Sequence, residues 1–280
     1  MSPTEGSFDG KGGVEIRWRA WIPDAAPKAA VVISHGGGEH SGRYEHVAAA
    51  LNDAGYGVWA LDHRGHGRSG GGRMRFASVA PLAADLQTMV AIAAEAVPAP
   101  KPFLLAHSMG ALIGLDYACD HQDELSGIVF SGALASVEQA PPVRLMARLA
   151  ARVAPGTGIF KVDPETISRD PVVVRAYDDD PLNFHGSFPA ETVVALIETG
   201  LGFPDRLPAL ELPLLILHGA DDRLTPPDGS ILVDELASSE DKTLKLYDGL
   251  RHEILNEPEG PEIAAEIVAW LDEHLPPLAG

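Results

Sequence analysis

The sequence predicts an α/β protein: a mostly parallel central sheet with helices on both faces and a helical cap inserted into it. Two observations carry this reading. Short, continuously apolar runs recur along the chain, the pattern of strands covered on both faces. Longer helix-like stretches separate them, and strands alternating with helices imply parallel pairing through crossovers. A third observation adds the insertion, because the alternation stops after Gly132 and resumes near Leu212.

Taken in order, Val14–Trp21 alternates in character and reads as a half-exposed strand. Ala29–Ser34, Gly57–Leu61, Leu104–Leu105, Gly127–Phe130 and Pro213–Leu217 read as buried strands, and Thr243–Tyr247 as the last one. Helices are expected over about Tyr44–Ala54, Val79–Val97, Met109–His121 and Pro261–His274. From Ala133 to Asp205 the chain is helical, lacks convincing strands and is cut into pieces by prolines. The expected organisation is therefore a core in two parts, 1–132 and 206–280, with a cap at 133–205.

Composition narrows the function classes. The chain has 280 residues, 45% of them hydrophobic, enough for a substantial core. A net charge of −19 repels phosphate backbones and argues against a nucleic-acid partner. No apolar stretch approaches the roughly 20 residues that span a bilayer. The first residues lack the basic and apolar regions of a signal peptide, so a cytoplasmic protein is expected. Cys119 is the single cysteine, which rules out an internal disulfide or a thiolate cluster; it reads as a small buried apolar residue.

The most informative stretch is Ala106-His107-Ser108-Met109-Gly110, set between an apolar strand and a helix. Small residues flank the serine where a strand turns sharply into a helix, the pattern of a nucleophile elbow. Such a turn holds the hydroxyl above the sheet edge. A serine hydroxyl needs a base, and the base needs a carboxylate to fix its tautomer. Asp221 and Asp222 both qualify as the acid, in the loop that leaves the strand ending at Leu217. His252 is the candidate base, the only one of 11 histidines in the loop after the final strand. Ser34–Ser41 follows another strand and is glycine-rich. Its Gly37 amide, with that of Met109, would form an oxyanion hole. This loop holds neither GxGxxG nor the Walker pattern with its Lys, so phosphate cradling by it is not indicated. Asp62–Ser69 is rich in Arg and His but lacks further ligands for a metal, and reads as a loop bracing the oxyanion strand.

With these motifs in place the chain resembles the α/β-hydrolase superfamily, and within it the monoacylglycerol lipase / lysophospholipase-like family. His35–Tyr44 is similar to that family's H-G-x-G-E-H-S-x-R-Y, Asp62–Ser69 to D-x-R-G-H-G-x-S, His107–Gly110 to H-S-M-G and His218–Pro226 to H-G-x-x-D-x-x-T-x-P. Asp180–Asn183 resembles a motif of the cap. The resemblance covers nearly the whole chain. It implies the α/β-hydrolase fold, selects Asp222 over Asp221, and makes Ser108, Asp222 and His252 the triad. It also places Glu39, Arg43 and His107 near the alcohol end of a substrate. Ala106 and Ala111 depart from the usual glycines and crowd the elbow.

The implied activity is hydrolysis of a carboxylic ester, with monoacylglycerol or a similar small lipid ester as substrate and no metal or cofactor. Another esterase, a lysophospholipase or a thioesterase is a second reading, and a non-catalytic binding protein on the same fold a third. In the cap, Arg144, Arg148 and Arg152 recur every four residues, and Leu145, Met146, Leu149 and Val153 form an apolar stripe. The expected arrangement turns that stripe inward, against the cap or an acyl tunnel. The alternative sets it on a membrane surface, giving transient peripheral contact.

Overall fold

The computed structural model describes residues 2–136 and 140–275. The extremes of the expected first and last segments, and residues 137–139 of the expected cap, lie outside them.

The core strands are β1 (Thr4–Asp9), β2 (Glu15–Trp21), β3 (Ala30–Ser34), β4 (Gly57–Leu61), β5 (Phe103–His107) and β6 (Gly127–Ser131). Helices α1 (Glu45–Asp53), α2 (Ala80–Ala96) and α3 (Met109–His121) lie between them. After β6 come α4 (Pro141–Val153), β7 (Gly158–Phe160), α5 (Pro171–Asp179), β8 (Phe188–Pro189) and α6 (Ala190–Arg206). The sheet then resumes with β9 (Leu214–Gly219), α7 (Asp228–Leu236), β10 (Lys242–Tyr247) and α8 (Gly260–Glu273).

Eight strands form one sheet in the order β1-β2-β4-β3-β5-β6-β9-β10. β1 and β2 are antiparallel to their neighbours and the rest are parallel. The α/β-hydrolase fold expected from the sequence is the fold observed. Side chains alternate across each central strand, so a continuously apolar run feeds two cores. Val32, Leu104, Ala106 and Ile216 pack toward α2 and α3. Val31, Ile33, Leu105 and Leu217 pack toward α1 and α8. β3 lies between β4 and β5, so the chain leaves it in both directions. Loops at such a switch point open a crevice at the carboxyl ends of the strands.

The segment between β6 and β9 lies over that edge. Its Phe184 amide donates to the Gly38 carbonyl at 2.7 Å, and its Ile167 carbonyl accepts from the Glu253 amide at 2.8 Å. Thr192 donates to the Met74 carbonyl at 2.7 Å.

Three expectations need correction. The strand β1 went unread, and β7 pairs with β8 where no strand was expected. The apolar stripe of α4 faces outward: Leu145, Met146, Leu149 and Val153 are 58, 71, 54 and 83% exposed, and only Ala147 on this helix is buried. α4 packs against α6, with Ala147 on its covered side. Cys119 is half-buried rather than buried, and burial lifts its thiol to about 11, so no thiolate forms.

Candidate active site

Ser108 occupies the turn between β5 and α3 at φ 54° and ψ −119°. A non-glycine residue at positive φ is strained and needs its surroundings to hold it there. The Ser108 amide donates to the Ser131 carbonyl at 3.0 Å, pinning the turn to β6. Close approach does the rest. A Cβ at Gly110 would lie 2.1 Å from the Ser34 carbonyl oxygen, so α3 can start hard against β3 only with glycine there. Ala106 fits despite its extra methyl because α3 carries Gly114 opposite it; a Cβ on Gly114 would stand 3.3 Å from the Ala106 methyl.

Ser108 Oγ lies 2.9 Å from His252 Nε2, and His252 Nδ1 lies 2.6 Å from Asp222 Oδ2. These partners assign the tautomer: Nδ1–H donates to the carboxylate and Nε2 accepts from the hydroxyl. The three side chains come from the ends of β5, β9 and β10 and meet at the carboxyl edge of the sheet. Asp222 is held in turn. Its Oδ1 accepts the amides of Leu224 and Thr225, each at 2.9 Å. Its Oδ2 lies 3.0 Å from His218 Nε2, whose ring is oriented by Ser230 at 2.7 Å.

The charges follow from these contacts. Burial works to raise the Asp222 carboxyl, but His252 and the donors around it win, and it stays ionised far below the usual range. Burial works to lower the His252 imidazole. Asp222, then Glu253 and Glu39, outweigh that and lift it above its ordinary value. His107 behaves differently. Burial and the neighbouring His252 push it down to about 4, and its Nδ1–H donates to the Ser131 carbonyl at 2.9 Å.

Gly37 and Met109 flank Ser108 on the cavity wall. Met109 is the first residue of α3, so its amide has no carbonyl behind it in the helix. Among the described residues the Gly37 amide donates to no protein acceptor. The loop behind it is braced as the Asp62–Ser69 motif suggested. Asp62 accepts the Ser41 amide at 2.9 Å, and His63 meets Ser34 Oγ at 3.0 Å while its amide donates to His35.

The cavity above Ser108 has a volume of about 790 Å³, within the range of small-molecule sites. One end is polar, with Glu39, His107, His252 and Glu253. The remainder is largely apolar, from Val143, Ala147, Phe188, Leu196, Ile197, Leu224, Ile231 and Leu232 among others. Arg43 stands behind that polar end and grips Glu39 and Glu253. Sequence reasoning missed Glu253, His218 and Tyr177. Glu253 adjoins the candidate base and His218 lies inside a quoted motif, so both were in view; only the fold assigns their partners.

Comparison with known proteins places the chain among hydrolases. A hydrolase family described as serine aminopeptidase, S33, matches residues 25–259. A monoacylglycerol lipase of Mycolicibacterium smegmatis is 42% identical, covering 97% of this chain and 98% of that protein. The human monoglyceride lipase is 34% identical, over 91% of this chain and 86% of its own length. Among solved structures, a soluble variant of the monoglyceride lipase from Saccharomyces cerevisiae, in complex with a substrate analog, superposes with a TM-score of 0.87. It is 25% identical and covers 99% of this chain and 97% of that one.

Proposed function

Since the chain belongs to the serine aminopeptidase S33 family of hydrolases and is a serine ester hydrolase, we propose that it cleaves monoacylglycerol to glycerol and a fatty acid. One observation carries the reading: a relay from Ser108 through His252 to Asp222 with spacings of 2.9 and 2.6 Å, beneath a mainly apolar cavity.

In this mechanism His252 Nε2 takes the Ser108 proton as Oγ attacks the acyl carbonyl. The carbonyl oxygen gains the negative charge, and the Gly37 and Met109 amides hold it. Losing one such donor costs about 10²–10³ in rate. The His252 imidazolium then gives its proton to the departing glycerol oxygen, leaving an acyl-serine. Water, deprotonated by His252, attacks that ester; the proton returns to Ser108 Oγ as the fatty acid leaves. Asp222 stays ionised throughout and steadies the imidazolium. The acyl chain lies in the apolar arm of the cavity. The glycerol end meets Glu39 and His107, with Arg43 acting there through Glu39.

Residues 133–205 form the cap in this reading. Its outward stripe on α4, with Arg144 and Arg152 beside it, suits a cytoplasmic enzyme that touches an anionic lipid surface to collect substrate. Arg148 is tied to Glu198 at 2.7 Å and contributes less.

The test is turnover of monoacylglycerols and p-nitrophenyl esters by wild type and Ser108→Ala, with fluorophosphonate labelling alongside. Ser108→Ala should lose at least about 10⁴-fold in kcat while remaining folded, and wild type alone should label. A folded wild type that neither labels nor turns over any ester would leave a binding protein as the surviving reading. Faster cleavage of aminoacyl arylamides than of esters would turn the assignment toward peptides.

A further inference from the structure

Glu253 follows the candidate base directly, and the mechanism above gives it no task. Its side chain is buried yet borders the cavity. Arg43 grips it with both nitrogens: Nη1 donates to Oε1 at 2.6 Å and Nη2 to Oε2 at 2.7 Å. The same Nη1 donates to Glu39 Oε2 at 2.6 Å. Glu39 Oε1 accepts the Gly36 amide at 2.6 Å and the Tyr44 hydroxyl at 2.7 Å. Asn256 closes the other side, donating to Glu253 Oε2 at 2.9 Å. The Tyr177 ring, from α5, lies 5.0 Å from the guanidinium.

One guanidinium therefore joins the loop after β3, which carries Gly37, to the loop after β10, which carries His252. Burial works to raise both carboxyls. Arg43 outweighs it, holding Glu39 at about 2 and Glu253 below its ordinary range. The cluster carries two negative charges and one positive. A buried ion cluster of this kind contributes little net stability over well-packed apolar residues. What it supplies here is position and charge.

We propose that Glu253 is a positioning residue: clamped by Arg43, it holds His252 in register with the oxyanion loop and adds negative charge that steadies the imidazolium. The proposal rests on the reading of His252 as the base. The groups facing His252 are Asp222 from the loop after β9, Glu39 from the loop after β3, His107 from the end of β5 with its ring 4.7 Å away, and Glu253 itself. His107 stays neutral near neutral pH, so its charge does not oppose the carboxylates there. Arg43, behind Glu39 and Glu253, opposes them.

The signs are then fixed. The base must be neutral to act, so activity rises as pH climbs through its titration. Removing a nearby negative charge moves that acid limb to lower pH, and removing the positive charge moves it higher. The experiment measures kcat/KM against pH on a soluble p-nitrophenyl ester for wild type, Glu253→Gln, Glu253→Asp and Arg43→Gln, with thermal melts to establish folding. Glu253→Gln should lower kcat and shift the limb down, raising activity at pH 5 relative to pH 8 by roughly threefold or more. Arg43→Gln should shift it up. Glu253→Asp, which keeps the charge but not the reach, should keep the limb and lose kcat.

A limb that stays in place in the folded charge variants overturns the proposal. If Glu253→Gln does not fold, Glu253→Asp decides, and an unchanged kcat there overturns it. Undiminished activity in His252→Ala would sink the relay reading itself, a result distinct from a relay whose pH limb ignores Glu253.

Discussion

Helices α3 and α4 are each 13 residues long, and the molecule uses them in opposite ways. α3 begins at the nucleophile and is buried along most of its length, with Leu112, Ile113 and Leu115 fully covered. It is apolar nearly all round, as a helix wedged between a sheet and other helices must be. α4 is sharply two-faced, yet its apolar stripe meets solvent and only Ala147 is buried. Amphipathic spacing thus says that a helix has an apolar face, and not what that face meets. The helix that holds the chemistry spends its side chains on packing. The one that lends Val143 and Ala147 to the cavity wall keeps most of its apolar side chains free.

That contrast can be broken at three points, from the largest expected effect to the smallest. Gly110→Ala should be worst. Its methyl would sit 2.1 Å from backbone at Ser34, so α3 must move and carry Ser108 with it. We expect near-complete loss of ester turnover and a destabilisation of about 3 kcal/mol or more, read by activity and chemical denaturation. Leu112→Ala leaves the elbow intact but opens a void in a fully buried site. It should cost about 2–5 kcal/mol while the folded fraction keeps its kcat. On α4, Leu149→Ser should change stability by less than about 0.5 kcal/mol, because Leu149 is already 54% exposed. It should nonetheless weaken co-sedimentation with anionic vesicles and slow turnover of vesicle-borne monoacylglycerol, leaving a soluble ester untouched. A large stability loss in Leu149→Ser would erase the distinction between the two helices.

Much of the core was readable from sequence for a definite reason. Central parallel strands are buried on both faces, so Val31–Ile33 and Leu214–Leu217 announce themselves as unbroken apolar runs. Of the proposed triad, Ser108 and Asp222 were readable because each follows such a run, whereas His252 follows the alternating edge strand β10 and was legible by its place after the last strand. The edge strand β1 was not, because only Phe8 in it packs against the core and, apart from the half-buried Gly6, the rest are exposed. The outward stripe of α4 was unreadable because its facing depends on packing against α6, a partner about 50 residues away. Glu253 was in plain sight beside His252. Its clamp comes from Arg43, 210 residues distant, and no local pattern encodes that meeting.

Two of the backbone bonds between the segment above and the sheet edge below reach the reactive loops. Phe184 holds the Gly38 carbonyl, and Ile167 holds the Glu253 amide. One bond reaches the loop of Gly37 and the other the loop of His252, so the overlying segment and both loops of the proposed chemistry share a single hydrogen-bonded frame.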